Sequence, residues 1–326
     1  MSDDLHDSDA VLGASALRRR FLETGADDDL PIADAHQHFF DVDRNHYPWL
    51  SDKPVDNFRY GNYDKIRRTF LPDDYFRATG RHRVVKTVLI EAEWNPADPL
   101  GELQWVEALA HDQGFPHAMS AQVWLDRDDV NQVLDTYARH PLVKGVRHKP
   151  TAVARHEYSS GFTAPGSMRD PAWRDGYAGL GPRALLFELQ VNWWHFGEAA
   201  ELARDFPQTQ IVINHTGLPA DRSDDGLRAW RLALETVARE GNVHLKISGI
   251  CVPGQRWSVE GNGPVVRTAI DVFGTHRCSF ASNYPVDTVV DDMTDIFDGF
   301  KAIARAYSVE DRLRLFYDNT ARVYDL

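Results

Sequence analysis

The stretch Pro31-Ile-Ala-Asp-Ala-His-Gln-His-Phe-Phe40 joins a short apolar segment to two histidines one residue apart. The apolar half predicts a buried strand. Alternate side chains of a strand share a face, so His36 and His38 are expected to point into the same space. Imidazoles are the commonest metal ligands and carry protons near neutral pH. The stretch therefore predicts a strand that ends in a chemically active pair.

Seven more strand-like segments follow along the chain and alternate with stretches of helical periodicity. Together with the first they are Pro31–Ala35, Val84–Ala92, His117–Trp124, Val143–Arg147, Ala184–Val191, Gln210–Asn214, Val243–Ser248 and Arg277–Ser282. A doubly wound sheet usually has about six strands, whereas a barrel has eight. The pattern predicts an α/β protein with a (β/α)₈ TIM barrel.

The length of 326 residues fits one such barrel, which commonly takes about 250 residues. We expect a single domain over residues 31–326, preceded by an N-terminal arm, residues 1–30, with one amphipathic helix at Val11–Leu22. The segment Asp41–Leu71 is a long first βα loop. In a barrel, an insertion at that point rises over the face that carries the active site.

Composition limits the partners and the cellular location. The net charge of −13 excludes nucleic acid as an expected partner, because phosphate binding needs an excess of Lys and Arg. Two cysteines fit a reducing compartment, and the acidic N-terminus lacks the order of a signal peptide. No apolar run reaches the roughly eighteen residues of a membrane span. We expect a cytoplasmic protein with a small-molecule substrate, no membrane partner and, without a Gly-x-Gly-x-x-Gly or Walker sequence, no nucleotide cofactor.

Polar and aromatic side chains follow nearly every predicted strand, which is where a barrel carries its chemistry. In chain order they are His36 and His38; Glu91, Glu93 and Trp94; Trp124; Arg147, His148 and Lys149; Gln190, Asn192, Trp193, Trp194 and His195; His215; Ser248; and Asn283, Tyr284 and Asp287. We predict that these side chains surround one active site. Ser248 lacks a Gly-x-Ser-x-Gly elbow, so a serine hydrolase triad is not indicated.

Six motifs at these strand ends resemble one known family. They are His-Gln-His-Phe-Phe at 36–40, Val-Leu-Ile-Glu-Ala at 88–92, Val-Lys-Gly-Val-Arg-His at 143–148, Val-Ile-Asn-His-Thr-Gly at 212–217, Leu-Lys-Ile-Ser-Gly at 245–249 and Ser-Asn-Tyr-Pro-Val-Asp at 282–287. The chain is similar to the family 2 branch of the amidohydrolase superfamily, and within it to sugar lactonases and 2-pyrone-4,6-dicarboxylate lactonases. The similarity runs from about residue 30 to the C-terminus.

The resemblance implies that water attacks a ring carbonyl. His36 and His38 would then bind a metal or polarise the carbonyl, and His215 would stabilise the oxyanion or complete the metal site. An acid at the end of strand eight would take the proton from water. These roles satisfy the needs of lactone hydrolysis, which are a base, an oxyanion stabiliser and orientation.

The last strand departs from the family pattern. Relatives carry Ser-Asp-Trp-Pro there, whereas this chain has Ser-Asn-Tyr-Pro, and the amide of Asn283 cannot act as a base near neutral pH. We favour Asp287 as the base, because Pro285 fixes a turn that could return it to the barrel mouth. Glu91 or Glu93 could act instead, or the reaction could be other than hydrolysis.

The metal question stays open at this stage. One Zn²⁺ held by His36, His38 and His215 would match a familiar catalytic arrangement, in which three histidines leave one position open. The resemblance equally implies a site that works without a metal, because lactonases of this family often do so. Strand four ends in Val-Arg-His and strand five offers Glu188 and Gln190, so the ligand set for two metals is incomplete.

Several residues are predicted to contact the substrate: Glu91, Trp94, Trp124, Arg147, His148, Gln190 and Tyr284. Arg147 and His148 could pair with a substrate carboxylate, or form an internal salt bridge with a nearby glutamate. The tryptophans could stack on a ring, or pack between barrel and loops.

We expect a hydrolase that opens a carboxylated or hydroxylated lactone. One alternative is a metal-dependent decarboxylase of an aromatic or enoic acid, and another is a ligand-binding barrel without catalysis. Barrels of this kind often form dimers, so a homodimer also remains open.

Overall fold

The protein is represented by a computed structural model that describes residues 13–56 and 58–326. Its centre is a sheet of eight parallel strands paired in chain order. The strands are β1 (Pro31–Gln37), β2 (Arg83–Ile90), β3 (Ala118–Gln122), β4 (Val143–Arg147), β5 (Leu186–Leu189), β6 (Ile211–Ile213), β7 (Val243–Ile247) and β8 (Cys278–Phe280). The chain therefore folds as the predicted (β/α)₈ barrel.

The barrel closes between β1 and the residues that follow β8. The backbone N–H of Asn283 donates to the carbonyl of His36 at 2.8 Å, and the N–H of His38 donates to the carbonyl of Tyr284 at 2.8 Å. These bonds bring the first and last predicted site motifs side by side. The motifs that contain His36 and Asn283, which are the first and last along the sequence, are therefore neighbours at the barrel rim.

Helices cover the outside of the barrel. They are α1 (Ala14–Thr24), α2 (Pro48–Ser51), α3 (Pro72–Thr79), α4 (Gly101–Gln113), α5 (Val130–Arg139), α6 (Pro171–Ala178), α7 (Phe196–Asp205), α8 (Asp224–Val237), α9 (Val259–Phe273), α10 (Met293–Ala304), α11 (Val309–Leu313) and α12 (Asn319–Val323). Helices α3 to α10 each follow one strand, which gives eight βα units. None of the helices in the described ranges is long and apolar enough to cross a membrane.

All eight predicted strands are confirmed, although most are shorter than expected. β4 has the predicted bounds, whereas β5 begins at Leu186 because Ala184 takes a left-handed backbone with φ of 53°. The arm helix, predicted at Val11–Leu22, is observed at Ala14–Thr24, and residues 11 and 12 lie outside the described part of the chain.

The arm helix packs on the outside of the barrel. Its buried residues are Leu17 and Phe21. The guanidinium of Arg312 lies 5.0 Å from the Phe21 ring centroid, and Arg18 pairs with Asp318 at 2.9 Å. These contacts hold α1 against the C-terminal helices.

The barrel interior contains a small apolar layer and a buried ion pair. Tyr324 packs with the apolar residues Val88, Ile90, Ala118, Leu186 and Val212. Beside it, the Lys246 ammonium donates to both carboxylate oxygens of Glu188 at 2.8 Å, and the Tyr324 hydroxyl donates to the same carboxylate. Burying the two charges together keeps each compensated.

The long first βα loop lies over the carboxyl ends of the strands, as predicted. Trp49 donates its indole N–H to the carbonyl of Ala92, just beyond β2, at 2.8 Å. The ring centroids of Phe58 and Tyr63 lie 4.4 Å apart, so the loop has a packed aromatic interior of its own. A loop anchored in this way forms a fixed wall of the cavity beneath it.

Candidate active site

A cavity of about 320 Å³ opens at the carboxyl ends of the strands, under the first loop. Strand ends contribute His38, Ala92, Glu93, Arg147, Lys149, Gln190, His215, Leu218, Asn283 and Val286, and the loop contributes Trp49, Val55, Asp56, Phe58 and Arg59. The cavity thus unites side chains from six different strand ends with the loop. This is the position at which barrel enzymes carry their chemistry.

Three histidines form the floor of the site. The Nε2 atoms of His36 and His38 lie 3.2 Å apart, and the ring centroids of His36 and His215 lie 4.5 Å apart. All three are buried, and only His38 and His215 line the cavity itself. The predicted histidine cluster is therefore present.

Hydrogen bonds orient two of these rings. The Nδ1 of His38 donates to the carbonyl of Ile90 at 2.8 Å, which leaves a lone pair on Nε2 when the ring is neutral. The Nδ1 of His215 pairs with the Ser248 hydroxyl at 2.9 Å. Burial, reinforced by neighbouring cationic groups, lowers the pKa of His36, His38 and His215 well below the ordinary value of 6.5. All three imidazoles are accordingly neutral at pH 7.

The backbone is strained at the same strand ends. Glu93 after β2, His215 and Thr216 after β6, and Asn283 after β8 have φ between 54° and 56°, in the left-handed region. Such a conformation is unfavourable for residues other than glycine and accumulates at active sites. These four residues, at three strand ends, therefore have a strained backbone, which is a common property of active-site residues.

Close packing at the end of β7 explains a glycine of the site. Gly249 has φ of 58°, and a Cβ there would lie 2.6 Å from the Nδ1 of His215 and 2.9 Å from Arg59. A side chain at this position would push both residues out of place.

The turn after β8 brings Asp287 back to a position behind Asn283, although Asp287 is not among the described residues that line the cavity. Its Oδ1 accepts from the Asn283 amide at 2.5 Å and from the Tyr60 hydroxyl at 2.9 Å, while the Cys251 thiol donates to Oδ2 at 3.4 Å. Burial raises the pKa of Asp287, and the nearby Arg59 guanidinium, 3.6 Å away, opposes that rise. Asn283 lines the cavity, and the Asp287 carboxylate lies directly behind it.

The two glutamates after β2 are both paired with cations. Glu91 is buried and accepts from Arg147, which also donates to the side chain of Gln190 at 3.1 Å. Glu93 accepts from Lys149. Arg147 therefore forms an internal salt bridge with Glu91, which is the second of the two interpretations given above. Its side chain also lines the cavity.

Five of the seven predicted substrate-binding residues do not line the cavity: Glu91, which is buried against Arg147, and four others whose side chains point elsewhere. The Nδ1 of His148 accepts from the backbone of Leu125 and from the indole of Trp173, so the ring faces the outer layer. Trp94 packs on Tyr47 and Trp105, and Trp124 stacks under Arg127. The Tyr284 hydroxyl accepts from the backbone of Met293. These side chains support the rim of the barrel and are absent from the cavity lining that the described residues form.

Sequence reasoning missed the residues that the first loop contributes. Trp49, Phe58 and Arg59 line the cavity, and Tyr60 bonds to Asp287. The first βα loop was predicted to lie over the site. It has no strand periodicity that would indicate which of its side chains point toward the cavity. The aromatic and basic composition of the loop was the only available signal.

The histidines fit a metal ion in part. Two nitrogens bound to one zinc at a tetrahedral angle lie about 3.3 Å apart, close to the 3.2 Å between His36 and His38. The bond from His38 to Ile90 is the outer contact that metal-bound histidines usually make. In residues 13–56 and 58–326, however, no three His, Cys, Asp or Glu side chains converge closely enough to hold an ion. His215 would have to shift to become a third ligand.

Comparison with known proteins places the chain in a family. A model of the family described as Amidohydrolase matches residues 33–326. An uncharacterised protein of Sinorhizobium fredii is 36% identical over 300 residues, which cover 91% of this chain and 99% of the relative. The chain therefore belongs to the Amidohydrolase family and is a hydrolase of the amidohydrolase superfamily.

Two further proteins are similar to this chain, one in sequence and one in structure. An L-fucono-1,5-lactonase of Burkholderia ambifaria is 26% identical over 80% of this chain and 83% of its own length. The crystal structure of an amidohydrolase from Burkholderia multivorans with bound zinc superimposes with a TM-score of 0.75, at 21% identity, over 90% of this chain and 99% of the other. The second similarity shows a shared fold.

Proposed function

We propose that the protein hydrolyses a lactone by adding water to the ring carbonyl. The observation that carries the proposal is the meeting of neutral His38 and His215 with Asn283 in one cavity, with the Asp287 carboxylate against the Asn283 amide. The similarity to an L-fucono-1,5-lactonase supports the same reaction class.

Asp287 is proposed as the base. Of its two carboxylate oxygens, Oδ1 accepts two strong hydrogen bonds, whereas among the described residues Oδ2 accepts only from a thiol, which is a weak donor. A carboxylate whose pKa is raised by burial is better matched to accept a proton near neutral pH. Asp287 would take a proton from the attacking water and return it to the alkoxide when the ring opens, which yields a hydroxy acid.

His215 is proposed to stabilise the oxyanion. If the Ser248 hydroxyl donates to its Nδ1, the proton of the neutral ring lies on Nε2, and that N–H can donate to the developing charge. The guanidinium of Arg147 and the ammonium of Lys149 line the same cavity and add positive potential. A preorganised donor of this kind typically contributes about a hundredfold or more to the rate.

As an alternative arrangement of the same residues, we propose that His36 and His38 hold one divalent ion, with His215 as a third ligand after a small shift. In that state His215 would carry its proton on Nδ1, toward Ser248, and the ion would replace its N–H as the group that stabilises the oxyanion. A bound Zn²⁺ would act as a Lewis acid on the carbonyl and lower the pKa of a bound water. Elemental analysis should find about one zinc per chain in the purified protein, and His36→Ala should remove it. Full activity in protein that contains no metal after dialysis against a chelator would contradict this part.

The substrate is expected to carry carboxylate or hydroxyl groups, because the cavity wall includes three cations and several amide and carboxylate groups. A panel of lactones, which includes L-fucono-1,5-lactone, should release protons on incubation with the enzyme. Carbon dioxide release from aromatic acids would instead indicate a decarboxylase. Tight binding of a lactone without turnover would indicate a barrel that only binds its ligand.

Substitution of the candidate bases tests the assignment. Asp287→Asn should lower kcat by about a hundredfold or more, since it removes the proton acceptor. Glu93→Gln serves as the comparison, because it removes a carboxylate that lines the same cavity, and it should keep most of its turnover. Unchanged turnover in Asp287→Asn, with loss of activity in Glu91→Gln or Glu93→Gln, would assign the base to the residues that follow β2.

A further inference from the structure

A second cavity adjoins the first and is not used by the proposed reaction. Its volume is about 330 Å³, and it shares Arg59 and Leu218 with the active-site cavity. Most of its remaining wall is apolar and comes from residues after β6 and β7, among them Pro219, Ile250 and Val252. The two cavities therefore adjoin at Arg59 and Leu218.

Arg222 supplies a positive charge to this second cavity. Its Nη2 donates to the carbonyl of Ile250 at 2.8 Å, and its buried Nη1 has no partner among the described residues. No carboxylate forms a salt bridge with Arg222 in that part of the chain. Burial lowers the pKa of Arg222 from its ordinary value, but a guanidinium keeps its charge in proteins. A partly buried cation normally has a counter-ion, and residues 13–56 and 58–326 offer none to Arg222.

Arg59 repeats the pattern at the junction of the cavities. Its Nη1 is buried without a partner in the described ranges, while Nη2 lies 3.6 Å from Asp287. Two guanidinium groups thus flank one apolar chamber, each with a buried N–H that can still donate. Guanidinium donors of this kind bind carboxylate and phosphate groups.

We propose that the second cavity binds an apolar arm of the substrate that ends in an anionic group, with the anion at Arg222. The inference rests on the proposed lactonase function for the placement of the ring in the first cavity. The enzyme would then favour an extended, anion-tailed lactone over a compact sugar lactone. The apolar wall would bury the arm, and Arg222 would gain the counter-ion that it lacks.

Three lactones test the preference. They are γ-butyrolactone, which has no arm, γ-nonalactone, which has a pentyl arm, and the same pentyl arm ending in a carboxylate. The carboxylated compound should have the highest kcat/KM, by about tenfold or more over γ-nonalactone, because a hydrogen-bonded charge pair contributes that much. Arg222→Met should remove this advantage and leave γ-butyrolactone unchanged, and Arg222→Lys should restore part of it. Arg239→Met, at an exposed position, is the matched control.

Binding without turnover separates this inference from the proposed reaction. Calorimetry with ω-cyclopentylhexanoate, which has ring and arm but no ester bond, should give a Kd at least about tenfold lower than with its methyl ester, and Arg222→Met should abolish the difference. That result would support the subsite even if no lactone were hydrolysed. The absence of lactone hydrolysis would overturn only the proposed function. Equal binding of acid and ester, or equal loss in Arg239→Met, would overturn the subsite even if lactones are hydrolysed.

Discussion

At the scale of single residues, the replacement of an acid by Asn283 is the feature that most affects the chemistry. Asn283 still occupies the end of β8 in the cavity wall, and its amide holds the Asp287 carboxylate at 2.5 Å. Asp287, four residues along the chain, therefore contacts the position at which the resemblance implies an acid. The sequence alone allowed three explanations for the missing aspartate, and the observed contact favours the first.

Gly249 allows a direct test of how tightly the site is packed. Gly249→Ala should lower kcat/KM by about tenfold or more, because its Cβ would displace His215 and Arg59. Gly254→Ala is the matched control, since Gly254 has a similar φ of 71° but no atom within 4 Å of the added Cβ. Both variants should lose about 1–2 kcal/mol of unfolding free energy from backbone strain. Equal activity in the two variants would contradict the packing argument.

At the scale of elements, the first βα loop forms the upper wall of the site through a few anchors. Trp49→Phe removes the indole N–H that bonds to Ala92 at 2.8 Å and should raise KM about fivefold, since one net hydrogen bond contributes about 1 kcal/mol. Trp194→Phe loses an equivalent bond to Val153, at 2.9 Å, away from the cavity. An increase of KM in both variants would indicate a general effect on folding and no specific role for the loop.

Helix α4 joins β2 through a buried carboxyl group with an unusual titration. Glu102 accepts from the backbone N–H of Ala92 at 2.8 Å, and burial, with the nearby Glu91 charge, raises the pKa of Glu102 to about 8. Between the unfolded value near 4.5 and this value, the folded state holds a proton that the unfolded state has released. Stability is therefore highest below the lower value and falls as the pH rises through the window.

Glu102→Gln should remove this pH dependence. The unfolding free energy of the variant minus that of the unsubstituted protein should increase by about 2–4 kcal/mol from about pH 5 to about pH 8.5. Urea denaturation at each pH measures this difference. An equal pH slope for the two proteins would show that Glu102 is ionised in the folded state.

At the scale of the whole molecule, the C-terminal segment contributes a side chain to the barrel interior. Tyr324→Phe should lower the unfolding free energy by about 1–3 kcal/mol, because Glu188 loses a buried donor, and should leave kcat/KM unchanged. Tyr177→Phe is the control, since its buried hydroxyl has no partner in the described part of the chain. A similar loss in both variants would mean that the hydroxyl bond to Glu188 contributes nothing to the unfolding free energy.

Homodimer formation stays a prediction that light scattering can check.

The eight-strand order, the family and the cluster of His36, His38 and His215 could all be predicted from the sequence. Strand periodicity and the residues at strand ends are local signals, and parallel strands in a barrel bring all their carboxyl ends to one face. Which of those residues face the cavity depends on tertiary contacts. His148 and Trp124 lie at strand ends as Arg147 does, but Trp173 in α6 and Arg127 in the turn before α5 hold them away from the cavity. Arg59 and the contact between Asn283 and Asp287 depend on where a long loop and a turn fold back, and such placement arises from packing between distant segments that no local pattern specifies.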